Sequence, residues 1–175
     1  MSYRHIGNAA GREVFLKDEP DPDDAATPVG FSIGAVVLKD GWKSDELGWL
    51  LNELYGALQD WTAFDSSGGA RSFVFWGERA EEASNLCDTF AYAWTGGAEE
   101  RYDNVMSASN DAPDLDGFVE AIFSGEIAVG DAYAGNLRSV VFAAVVSDPA
   151  ADADVDLLDR LSTAVQNGVK QHHFD

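Results

Sequence analysis

Leu47, Leu50, Leu51, Leu54, Leu58 and Trp61 recur at spacings of three, four and seven, which places them on one face of a helix over residues 44–61. Asp45 and Glu46 fall in its first turn, where the helix dipole favours negative charge, and Ser44 is placed to cap the free amides. The same spacing returns in Ala83, Leu86, Cys87, Phe90, Ala91 and Trp94, closed by Gly96 and Gly97. It returns again in Leu115, Phe118, Val119, Ile122 and Phe123 after Asp114. A last helix over 152–169 presents Val155, Leu158, Leu161, Ala164, Val165 and Val169 behind an acidic first turn of Asp152, Asp154 and Asp156.

Between these helices the pattern changes period. Residues 31–38 put Phe31, Ile33, Ala35 and Val37 on one side of a strand, and the opposite side begins small, with Ser32 and Gly34, as if something approaches closely. Residues 71–77 are apolar on both sides and read as a central strand, and 137–146 form the longest apolar strand. Residues 126–129 suit a short strand. Residues 3–17 alternate around Gly7, Asn8 and Gly11, the pattern of two antiparallel strands and a turn. Three prolines and five acids between Asp18 and Pro28 forbid helix or central strand, so 18–28 is expected to be an exposed acidic loop. Residues 98–113 carry no clear period.

Strands and helices intermix without strict alternation. That order predicts a single α+β domain over 1–175, a mostly antiparallel sheet of four to six strands with three or four helices mainly on one face. The alternative is a three-layer α/β arrangement, because the connection between 31–38 and 71–77 is long enough for a parallel crossover.

Charge narrows the setting. The chain holds 31 acidic and 11 basic residues among 175, a formal net charge of −20. Such an excess strains a compact state at low salt, whereas near 1 M salt the Debye length is only about 3 Å and the repulsion is screened. The acid is also spread along the chain, with net −4 over residues 1–50 (9 acidic, 5 basic), −7 over 51–100 (9 and 2) and −6 over 101–150 (8 and 2). An acidic tail or a local cation trap would concentrate it, so adaptation to a high-salt cytoplasm is the expectation. The first residues lack the apolar core of a signal peptide and no apolar run reaches the length of a membrane span, which predicts a cytoplasmic or virion protein.

Candidate chemistry is sparse. Asp152, Asp154 and Asp156 have the first three ligand spacings of a calcium loop, but its sixth and twelfth positions fall on Leu157 and Thr163, and the acids around Asp114 and Asp116 fail the same test. His5, His172 and His173 stand in no nucleophile or zinc pattern, and the last two belong to an expected exposed tail. The lone Cys87 falls on an apolar helix face and suits a buried small hydrophobe. Scattered Lys and Arg disfavour direct nucleic-acid contact. No cofactor or metal is expected.

Aromatic residues point elsewhere. Tyr3, Trp42, Trp49, Tyr55, Tyr92, Tyr102, Tyr133 and Phe174 fall off the main apolar stripes or in loops, where partly exposed rings anchor protein interfaces. The competing possibility is that they fill a second layer of the same core. The expectation is a non-enzymatic structural or interaction subunit of a larger protein assembly, such as a virion or tail component, homo- or hetero-oligomeric and adapted to high salt. Residues 3–17 and 171–175 would serve as contact arms. The alternatives are an acidic inhibitor or DNA mimic that binds a basic partner, and a small hydrolase-like enzyme whose site lies near the strand 31–38.

Overall fold

A computed structural model describes residues 2–19, 28, 30–56, 69–94, 96–97, 105–125, 127–133, 135–145 and 152–173. Its first two strands, β1 (Ser2–Ala9) and β2 (Arg12–Glu19), pair antiparallel across a two-residue turn at Ala10 and Gly11. Both turn residues have positive φ, 51° and 75°, the twist that matches flanking strands in tight hairpins. The turn is thus tighter than the glycine spacing suggested, and Gly7 and Asn8 lie within β1. Asp18 and Glu19, expected in the acidic loop, close β2 instead. The Asp18 carboxylate takes a forked pair of bonds from Arg4, 3.1 Å from Nε and 2.8 Å from Nη2, which holds the hairpin ends together. Residues 20–27 and 29 lie outside the described residues.

Next come β3 (Phe31–Leu38), α1 (Ser44–Tyr55), β4 (Gly69–Gly77), α2 (Ala80–Trp94) and β5 (Met106–Asn110). The chain continues through α3 (Leu115–Ser124), a short 3₁₀ turn at Asp131–Tyr133, β6 (Leu137–Val145) and α4 (Asp152–Gln171). Asp114 caps α3 as its position implies, accepting the Gly117 amide at 2.7 Å. α1 departs from expectation at both ends. Lys43 is its N-cap and donates its amide to the Glu46 carboxylate at 3.0 Å, so Ser44 is already helical. Gly56, at φ 89°, stops the helix after Tyr55, and Leu58 and Trp61 fall outside the described residues. Residues 127–130 are irregular rather than a strand, and the carbonyl of Ala128 accepts the Ser72 hydroxyl at 2.6 Å. β5 is a strand that the periodicity did not indicate.

The six strands form one sheet in the order β1-β2-β6-β3-β4-β5. Of the two arrangements expected, the three-layer one is observed, and the sheet is mostly parallel. Only the β1–β2 pair runs antiparallel; β2–β6, β6–β3, β3–β4 and β4–β5 are all parallel. A helix-bearing crossover separates β3 from β4 and β5 from β6, and that length lets each strand re-enter in the same direction. Alternate side chains of β2, β3, β4 and β6 serve opposite cores. Ile33, Ala35 and Val37 of β3 pack with Val140, Phe142 and Ala144 of β6 beneath α3 and α4. Val36, Leu38, Phe73, Phe75 and Val141 pack beneath α1 and α2. The small side of β3 has a local cause: at Gly34 a Cβ would stand 3.0 Å from the Phe73 ring. The close neighbour is the protein's own core. No helix among the described residues is long and apolar enough to cross a membrane.

Candidate functional site

The Cys87 thiol is buried under α2, where burial and then the nearby Asp88 carboxylate push it well above the usual thiol range. His5 lies 3.9 Å from Glu13 and edge-on to Phe15. His172 pairs with Glu120 at 2.6 Å against the Phe123 ring, and His173 approaches the Asn8 carbonyl at 3.2 Å. The Ala10 amide also donates to the His172 carbonyl at 3.1 Å, so the tail and the hairpin, expected as free contact arms, dock on each other. Among the described residues no three His, Cys, Asp or Glu side chains are grouped to hold a metal ion.

The aromatic residues singled out by sequence separate into three groups. Trp42, Tyr55 and Tyr133 are buried in the chain's own core. The Trp42 indole N–H donates to the Glu78 carbonyl at 2.6 Å and its ring lies 4.1 Å beneath the Arg79 guanidinium. Tyr55 stacks on Trp94 at 4.4 Å, and the buried Arg71 guanidinium sits 3.9 Å from the Tyr55 ring and 5.7 Å from the Tyr133 ring. These three rings are covered by partners distant in sequence, which no local period reveals. Tyr102 and Phe174 lie outside the described residues.

Tyr3 forms its own group. It is half-buried, with the Lys17 ammonium 5.2 Å over its ring and Lys17 in turn 2.5 Å from Glu53. Burial first, and the Glu53 carboxylate second, raise its hydroxyl from the usual 10.0 to about 12. Because the folded value exceeds the unfolded one, the stability tied to the neutral phenol is complete below about pH 10 and is lost as pH rises toward 12. The urea midpoint of the native protein is therefore expected to fall more steeply over that interval than that of Tyr3→Phe. Parallel curves for the two proteins would show that the hydroxyl is not held in this environment.

Trp49 and Tyr92 remain, 63% and 56% exposed, the largest exposed apolar side chains among the described residues. Both belong to the same layer. The stripe Leu47, Leu50, Leu51 and Leu54 seats α1 on the sheet and leaves Trp49 on the solvent side. Ala83, Cys87, Ala91 and Trp94 do the same for α2 and leave Tyr92 outward. The two helices meet where Gly48 faces the Phe90 ring, a Cβ there standing 3.1 Å away, and where the Asn52 carboxamide oxygen accepts the Trp94 indole N–H. Around the rings lie Asp45, Glu81 and Asp88, all exposed, with Asp88 accepting the Ser107 hydroxyl at 2.6 Å. The layer thus offers two exposed aromatic side chains on helices that also expose carboxylates. No family model, curated protein or solved structure matches this chain.

Proposed function

We propose that this chain is a non-enzymatic interaction subunit of a larger protein assembly adapted to high salt, and that it associates through the outer face of α1 and α2. The observation that carries this is the pair of exposed rings, Trp49 and Tyr92, on one helical layer whose own core is already filled. Leaving rings of this size in water forgoes about 1.5–3 kcal/mol each of burial, which a partner recovers. Acid on both helical layers supports the high-salt part: Asp116, Asp152, Asp156 and Asp159 are exposed on the α3–α4 side, as Asp45, Glu81 and Asp88 are on the other. At molar salt the repulsion within such a surface is screened, and the strain it places on the compact state is relieved.

One observation favours a second reading, an acidic inhibitor that holds a basic partner: the same aromatic layer is acidic, and a ring beside a carboxylate receives Lys or Arg well. Salt separates the two. Aromatic burial persists at molar salt, whereas a charge-driven complex weakens steeply. Light scattering and circular dichroism from about 0.1 to about 3 M KCl are expected to show folding favoured by salt and a discrete oligomer at the high end. Combined Trp49→Ser and Tyr92→Ser is expected to leave the dichroism unchanged and dissolve the oligomer. A monomer throughout, the same for native and variant protein, overturns the proposal.

A further inference from the structure

Across the sheet from the aromatic layer, a cleft of about 520 Å³ opens at the carboxyl end of β3. This is where a parallel sheet makes room for ligands. Of the two strands flanking β3, β4 leads into α2 on one face and β6 is followed by α4 on the other, so the elements beyond the strand ends part company there. The walls are the ends of β3 and β4 and the first turns of α4. The volume lies within the range of small-molecule sites.

The rim is built rather than loose. The Glu78 carboxylate, after β4, accepts the Gly41 amide, after β3, at 2.6 Å, and its carbonyl accepts the Trp42 indole N–H at 2.6 Å. Arg79 lies over Trp42 and donates to the Trp42 carbonyl. Two residues in this loop hold unusual backbone: Arg79 has φ 55°, and Gly77 has φ 122° with no room for a Cβ beside the Leu38 carbonyl oxygen. Lys39 is steadied by Glu46 at 3.3 Å. Inside, the Trp76 indole is oriented by its bond to the Ala112 carbonyl at 2.8 Å and by stacking on Phe118.

Within that frame the cleft combines three chemistries. Val37, Trp76 and Leu157 give an apolar side. Asp40, exposed, gives a carboxylate beside those of Glu78 and of Asp154, which is only 7% exposed and already engaged within the chain; Arg160, 3.9 Å from Asp156, gives an exposed guanidinium on the α4 wall, and Lys39 a second cation held by Glu46. A ligand complementary to all three carries an ammonium, a carboxylate and a small apolar group. We propose that this cleft binds a small zwitterion of the amino-acid class, its ammonium toward Asp40, its carboxylate toward Arg160 and its side chain on Trp76. The site goes beyond protein docking and shares no residue with the α1–α2 face.

Calorimetric titration of the full chain in about 1 M KCl tests it with three probes: L-phenylalanine, 2-phenylethylamine, which lacks the carboxylate, and 3-phenylpropionate, which lacks the ammonium. Saturable binding of L-phenylalanine is expected, with each single-charge analogue weaker by about tenfold or more, as the loss of one charge-assisted hydrogen bond implies. Arg160→Gln, a change at an exposed position, is expected to weaken L-phenylalanine to the level of the amine and to leave the amine unchanged. Asp40→Asn is expected to weaken the amine and leave 3-phenylpropionate unchanged. Trp49→Ser with Tyr92→Ser should bind all three probes as the native chain does, which keeps this result separate from the association experiment. No saturable heat with L-phenylalanine, equal affinity for all three probes, or an Arg160→Gln protein that binds like the native one would overturn the proposal.

Discussion

Phe142→Ala is expected to destabilise the protein by about 3–5 kcal/mol, read as a drop in the urea midpoint at fixed salt. Phe142 sits at the middle of β6, the strand flanked by β2 and β3 in the interior of the sheet. Its ring is fully buried and meets Phe123 of α3 edge-to-face at 5.6 Å. Truncation removes the apolar surface and opens a void between a stiff sheet and a packed helix, where neighbours have little freedom to collapse. A loss below about 1 kcal/mol would mean that the α3 layer is not packed on β6 as described.

Gly77→Ala is expected to cost about 3 kcal/mol or more by the same measurement, because two penalties coincide. At φ 122° an L side chain is strained, and the new Cβ would collide with the Leu38 carbonyl oxygen, a backbone atom of the neighbouring strand that cannot swing aside. Gly41→Ala is the control. Gly41 also has positive φ, 74°, but nothing lies within 4 Å of the added atom, so only the conformational penalty of about 1 kcal/mol applies. Equal losses at the two positions would show that the close approach of β3 and β4 at the cleft is not real.

Much of the local structure was legible. α3 is announced by its apolar period and by Asp114, and the same interactions hold it in the fold. Residues 31–38 form the strand their period implies, and both of its faces meet apolar layers. β5 was not legible. Its sequence, Met106 to Asn110, is polar and small because an edge strand needs only one partner and little burial. Trp49 illustrates a signal that was present: its phase relative to Leu47, Leu50, Leu51 and Leu54 already points it outward. Tyr55, four residues after Leu51, falls at the edge of the same stripe, whereas Trp42 and Tyr133 gave no such sign, since their covers are Arg79 and Phe31.

What the amino-acid sequence determined by itself is therefore most of the elements, β5 excepted, because helix phase, strand alternation, caps and turn glycines act over a few neighbouring residues. Charge belongs to the same category, being a property of composition. The parallel order of the strands, the division of helices between two faces and the burial of Trp42 and Tyr133 were decided only in the tertiary structure. So was the cleft, whose walls come from residues 37–40, 76–78 and 153–160. The reason is physical: strand pairing and burial are contacts between segments far apart in the chain, and no spacing within one segment specifies which other segment will cover it.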